Sequence, residues 1–361
     1  MKNMKLKEND SLLSFKPDEH SPDHYLVQGD LEVGGIIDCE NPIHCCRFHP
    51  NGETFSVGLS DGSIKLFKKQ NCQLLYTLID DDIRQKRLPV TSIRFFNRPN
   101  DLNQDHYKIL VATYVSGFIK YWHYPTKSCI FTIFDKELMP LSIGFNSSFT
   151  RMTAGGYDCK IKVYDVDTKK QINCLESGDN GTTISGHSSR VYCVKYHPVE
   201  NNQIFSGGWD DTVQIWDDRI SHSQNYIYGP HICGDAIDID SNYNHLLTGS
   251  WRKNSTLQIW DLRNFSLIRD VFQNKSSMMI YGCQWLSTSY IYVGGNDKNS
   301  AQIYDRGTLK SIGGLSELLH GVACIDNDHS DDLPNLIACS LKKLFLLKRK
   351  KISIFKSSQR P

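Results

Sequence analysis

The sequence predicts an all-β chain folded as a seven-bladed β-propeller, and three observations carry that prediction. A short strand with a small residue at one fixed place occurs seven times. A strand of pattern apolar-x-apolar-aromatic follows six of the copies and an aliphatic version follows the seventh, at an interval that departs from 22–24 residues only in the second unit. The copies advance by 47, 50, 51, 43, 46 and 42 residues, close to the period of about 40–45 that four-stranded propeller blades require. Aromatic residues make up 11% of the 361 positions, enough to build a core and too many for a disordered chain.

In chain order, the first unit opens with Ile43 to Phe48, continues with Phe55 to Asp61, and adds Ile64 to Phe67 and the outer strand Leu74 to Leu78. The second has Val90 to Phe95, Ile119 to Trp122 and Ile130 to Ile133; its excess length lies in the polar stretch Asn97 to His106, which reads as a surface loop. The third carries Ser142, Met152 to Asp158 and Ile161 to Tyr164, and the fourth Val191 to Tyr196, Ile204 to Asp210 and Val213 to Trp216. Units five to seven place their small residues at Ala236, Gly282 and Cys324, in line with Cys45, Ser92, Ser142 and Cys193. Their third strands are Leu257 to Trp260, Ala301 to Tyr304 and the aliphatic Leu344 to Leu347. From small residue to strand end the seven intervals are 22, 30, 22, 23, 24, 22 and 23 residues. Gly58, Gly155, Gly207, Gly249 and Gly294 share one aligned position, as expected where the backbone approaches a neighbour closely.

A propeller must close its ring or leave strand edges unpaired. Tyr25 to Val27 is the first strand the pattern supports and is expected to fill the outer place of the last blade, in preference to Ile352 to Phe355. The predicted organisation is a flexible polar segment over 1–24, the propeller over 25–356 and a short tail over 357–361.

The fourth unit contains Gly186-His187, Ser206-Gly207, Asp210 and Trp216-Asp217, and the fifth ends Ile259-Trp260-Asp261. These residues resemble the WD-repeat family. The resemblance implies that His187, Ser206, Asp210 and Trp216 form a buried hydrogen-bond chain locking blade four. Elsewhere Val57, Ala112, Ala154 and Val293 stand where the family has serine, so those blades are expected to rely on apolar packing.

Charge and cysteine usage exclude several function classes. There are 41 Lys+Arg against 40 Asp+Glu, a net charge of +1, so no global field draws in nucleic acid or an anionic membrane. Met1 to Asp10 is charged where a secretory leader is apolar, and the most apolar run, Ile109 to Ile119, is broken at Ser116-Gly117. A cytoplasmic or nuclear location is expected, without secretion or a membrane partner. The twelve cysteines include no Cys-x-x-Cys pair, so reduced thiols are expected, with no metal and no cofactor. His44-Cys45-Cys46 with His49 is the nearest approach to a ligand set, but on a strand Cys45 and Cys46 face opposite sides.

Gly58-Leu59-Ser60-Asp61-Gly62 matches the nucleophile-elbow pattern and would make Ser60 the centre of a serine hydrolase. That motif requires a following helix, whereas Asp61 aligns with the inter-strand turns at Asp158 and Asp210. Lys348-Arg349-Lys350-Lys351 reads as a strand end and solvated turn rather than a nucleic-acid contact. No catalytic set converges, so the expected function is a non-enzymatic scaffold binding protein partners or peptide segments within a multiprotein complex.

The residue before each turn aspartate, or its substitute, is Ser60, Val115, Tyr157, Trp209, Trp251, Asn296 and Leu341. The family resemblance places this position on the top face beside the channel and adds Arg190, Tyr192 and Tyr281; Asp235 near the same rim would select a basic group. Together these form the expected partner site, since Trp, Tyr and Arg dominate binding hot spots. Trp216-Asp217-Asp218-Arg219 and Trp260-Asp261-Leu262-Arg263 resemble the W-D-x-R ending of WD-repeat proteins that dock on the adaptor of cullin-type ubiquitin ligases. The alternative function is therefore a ligase substrate receptor contacting its adaptor through Arg219 and Arg263.

Overall fold

The computed structural model describes residues 25–99, 108–178, 185–272, 278–296, 299–330 and 334–350. In six blades the first strand carries a register shift just before the small residue, at Ile43/Cys45, Val90/Ser92, Pro140/Ser142, Val191/Cys193, Ile280/Gly282 and Val322/Cys324. Such a bulge leaves one residue unpaired and turns its side chain out of the pleat. The skipped residues in blades four and six are Tyr192 and Tyr281, so the bulge delivers these aromatics to the rim. The small residue after it admits the neighbouring blade.

The described residues form seven antiparallel sheets, one per repeat, each running first, second, third and outer strand in order. The first strands touch one another in cyclic sequence, including that of blade seven, Val322–Asn327, against that of blade one, Ile43–Phe48. The aligned glycines lie where blades meet. A Cβ on Gly207 would fall 2.5 Å from the Ile232 side chain, and one on Gly58 would fall 2.7 Å from the Val90 side chain of blade two. The core accordingly lies between blades rather than within them: Phe48, Phe55 and Val57 of blade one pack with Ile337, Cys339 and Leu344 of blade seven.

An N-terminal strand closes the ring, as expected, but it is not Tyr25 to Val27. The outer strand of blade seven is Leu31–Asp38, paired antiparallel to Lys343–Arg349. Leu26–Gln28 instead adds a fifth strand to blade six, against Ser311–Ser316. The eight-residue Leu31–Asp38 strand matches the whole exposed edge of Lys343–Arg349, and Gly34-Gly35 lets it cross. A Cβ on Gly35 would meet Cys72 Sγ at 2.5 Å, and one on Gly34 would meet the Lys348 side chain at 2.6 Å. Ile352 to Phe355 and the two terminal segments, 1–24 and 357–361, lie outside the described residues, as does most of the polar stretch in unit two.

One short helix, Asp81–Lys86, enters blade two. The Asp80 side chain caps it by accepting from the Ile83 N–H, and Asp81 and Asp82 occupy the first turn. Lys120, buried beneath it, donates to Asp80 at 2.7 Å and to Asp82 at 2.9 Å. No helix of the described residues is long and apolar enough to cross a membrane.

Candidate protein-binding rim

The turn between second and third strands lifts the residue before each turn aspartate above the sheet. In blades three, four and five those residues are Tyr157, Trp209 and Trp251, with 45%, 39% and 37% of their surfaces exposed. Tyr192 stacks on Trp209 at 5.2 Å between ring centres, and His231 stacks on it at 6.0 Å. The Arg190 guanidinium lies 5.2 Å from the Trp209 ring and 4.0 Å from that of Tyr157, and donates to the Tyr157 hydroxyl at 2.7 Å. The Trp209 indole hydrogen-bonds Cys233. Trp251 and Tyr281 meet at 6.4 Å, continuing the row onto blade six. Trp209 is thus held by its neighbours while over a third of its surface stays open, which limits the rotamer entropy a partner would have to suppress.

Three rim residues escaped the sequence reading. Asp211 accepts from His231 at 2.7 Å and pairs with Arg252 at 2.6 Å, tying blade four to blade five behind the tryptophans. Asp211 has φ of 62°, a left-handed turn position that Asp tolerates. The Trp-Asp-Asp run contained that signal, but nothing local shows that His231 folds back to it.

Asp235 does not fit the role of a free carboxylate selecting a basic ligand. Arg47 donates to it at 2.6 Å, Arg94 approaches at 3.4 Å and Lys195 at 3.8 Å. Burial alone would raise its pKa, but Lys195, Arg94 and Arg47 hold it well below the usual carboxylate range. Arg47, Arg94, Lys195, Asp238 and Asp326 all lie two residues after the small position of their blades, and their ion pairs run between blades. Lys195 also pairs with Asp238 at 3.0 Å, and Arg47 with Asp326 at 2.9 Å. The charges of this layer are answered within the chain.

Beneath the rim of blade four, Asp210 accepts from His187 Nδ1 at 2.8 Å. His187 Nε2 meets Ser206 Oγ at 2.7 Å, and Ser206 Oγ accepts the Trp216 indole N–H at 2.7 Å. Ser188 N and Thr212 Oγ1 also donate to Asp210, at 2.9 and 3.0 Å. Burial would raise Asp210, yet these donors keep its pKa below the ordinary value. Every polar atom of the chain is answered, which a buried network requires. Other blades substitute their own acceptors for the indole. Trp260 donates to Thr248 at 2.9 Å, and Trp122 to the Tyr114 hydroxyl at 3.1 Å. Thr248 stands at the aligned serine position and was legible; Tyr114 reaches in from two residues further on and was not.

At the opposite end of the strands, Arg219 forks onto Asp217 through Nε at 2.8 Å and Nη2 at 2.5 Å. Arg263 does the same to Asp261 at 2.9 and 2.6 Å. The fork holds Asp261 down to about 2. Both arginine side chains remain mostly exposed, at 63% and 68%. Their bidentate edge is already engaged, so a partner would meet the remaining guanidinium N–H groups.

Ser60 sits in a strand-to-strand turn in which Gly62 N bonds Leu59 O and Ser60 N bonds Pro42 O. No hydrogen bond joins its hydroxyl to a histidine among the described residues, and a strand follows where a nucleophile elbow needs a helix. Lys348 and Arg349 end the last strand, and Lys350 is tied to Asp30 and Gly29; Lys351 lies outside the described residues.

Residues 34–68 and 178–217 match the family model described as WD domain, G-beta repeat. The chain is 22% identical to a Ribosome biogenesis protein WDR12 homolog of Aedes aegypti over 180 residues, 45% of this chain and 40% of that one. It is 19% identical to the E3 ubiquitin-protein ligase COP1 of Arabidopsis thaliana over 289 residues, 79% of this chain and 40% of that one. It is 27% identical to a DDB1- and CUL4-associated factor 11 homolog of Caenorhabditis elegans over 129 residues, 34% of this chain and 21% of that one. The chain thus spans no more than 40% of the length of these relatives.

Proposed function

Since the chain is a WD-repeat protein folded as a seven-bladed propeller, we propose that it works as a non-enzymatic scaffold that captures a protein partner on its top rim. The observation that carries this reading is the continuous row Tyr157, Arg190, Trp209 and Tyr192, followed by Trp251 and Tyr281. It is aromatic and cationic, partly exposed and braced from behind. Such side chains combine large area with a polar handle at little entropic cost, which is what a hot spot demands. The rigid blades keep the row in fixed register, so the partner need not order it. The cytoplasm or nucleus is the proposed setting.

The test is affinity capture with the unaltered chain and with Trp209→Ala combined with Trp251→Ala. The double variant should melt as a folded protein and lose the partner, each true hot spot contributing roughly 2–4 kcal/mol. Full partner recovery by the folded double variant would move the interface away from this rim.

A second reading, substrate receptor of a cullin-type ubiquitin ligase, is favoured by one feature. Arg219 and Arg263 present the same Asp-braced guanidinium from adjacent blades, and one relative is named as DDB1- and CUL4-associated. This reading assigns the lower face to an adaptor and leaves the upper rim for the substrate, so the two proposals are compatible on one molecule.

A further inference from the structure

Cys46 belongs to the first strand of blade one, whereas Cys324 and Cys339 lie on the first and second strands of blade seven. Ring closure brings their three Sγ atoms within 4.8 Å of one another. Cys46 and Cys339 are buried and Cys324 is partly exposed. Cys324 and Cys339 are directly opposed in the strand register, so two of the three are preset by one sheet.

We propose that Cys46, Cys324 and Cys339 form a three-thiolate site for a soft closed-shell divalent ion, of the Zn2+ and Cd2+ class, that staples blade seven to blade one. Metal–sulfur bonds of about 2.3 Å set the sulfurs of a trigonal or tetrahedral site about 3.8–4.0 Å apart. The observed triangle therefore needs only a small contraction. Thiolate ligands select such ions over Mg2+ and Ca2+. Binding converts three thiols and one divalent ion into a complex of charge −1 and three released protons. The Arg47 guanidinium, already shared with Asp235 and Asp326, also lies near enough to act on Cys324, and its Nε has no hydrogen-bond partner among the described residues. Partly exposed Cys324 offers the way in, and the fourth position is left to water.

The test uses the full chain, reduced and stripped by a chelator, titrated with Cd2+ alone. A thiolate-to-cadmium ultraviolet band should saturate at one ion per chain, with three protons released and a higher melting temperature. Cys324→Ser should lose at least about tenfold in affinity. Cys129→Ser, on the outer strand of blade two, should bind as the parent does. A band that does not saturate at one equivalent, or an affinity in Cys324→Ser equal to that of the parent, would overturn the site. X-ray absorption of the Zn2+-loaded parent provides a reading that depends on no variant: three sulfur neighbours support the proposal, and fewer refute it.

Discussion

The Arg190 guanidinium lies 4.0 Å from the Tyr157 ring centre and donates to its hydroxyl at 2.7 Å, so a single side chain joins the rims of blades three and four. Arg190 also lies over Trp209, which makes it the hinge of the aromatic row. Arg190→Ala should leave the melting temperature almost unchanged, since the contact is at the surface, and weaken partner capture roughly tenfold. Arg190→Lys should not restore binding, because an ammonium cannot lie flat on both rings. Equal capture by parent and Ala variant would remove Arg190 from the interface.

Blade four should be the stability anchor. Trp216→Ala removes a fully buried indole and should cost about 3–5 kcal/mol, and Asp210→Ala strips His187 of its acceptor at about 1–3 kcal/mol. Ser206→Ala should cost more than Thr248→Ala, because Ser206 serves both His187 and Trp216 whereas Thr248 serves only Trp260. Denaturant midpoints of the four variants check the order; equal losses for the two hydroxyl deletions would mean that the chain is not cooperative.

Replacing both Arg219 and Arg263 with Ala should leave folding intact and abolish co-purification of a cullin-ligase adaptor. Lys at both positions should fail as well, since it cannot make the fork onto Asp217 and Asp261. If the unaltered chain brings down no such adaptor, the ligase reading is finished.

Stability should decline on acidification in two stages. Burial holds His197 below the usual histidine range, and its Nδ1 accepts from Val199 and Glu200 N–H groups; burial and Arg306 hold His245 low as well. The unfolded chain binds protons there first, at about pH 6.5. Their contribution is therefore complete above that pH and is lost as pH falls through the folded values. Asp210 and Asp235 are depressed in the same sense, so theirs is present above about pH 4 and lost below it. Urea midpoints measured from pH 8 to pH 2 should fall first below about 6.5 and again below about 4. A midpoint that rose on acidification would contradict both assignments.

All twelve cysteines are free in the fold. Thiol titration after denaturation in a chelator, without reductant, should count close to twelve. A deficit of two would reveal a disulfide that the fold does not contain.

The periodicity of the small and aromatic positions determined by itself the strand class and the number of blades, because each blade is a local meander whose turns and core face are written within about 45 residues, and the resemblance to the WD-repeat family added the residues of the blade-four chain. The rim tryptophans were legible through alignment of the turns, since Trp209 and Trp251 stand at the pre-turn position of units four and five, which the resemblance places on the top face. Closure of the ring was not. Leu31–Asp38 wins the edge of blade seven through a strand more than three hundred residues away, and Gly34-Gly35 carries meaning only once Lys348 and Cys72 are in place. The ion pairs that consume Asp235 come from blades one, two and four, and the Cys46 thiol meets Cys324 and Cys339 across the same junction. Such contacts are set by the circular stacking of blades, which brings opposite ends of the chain together without any local sequence spacing to announce it.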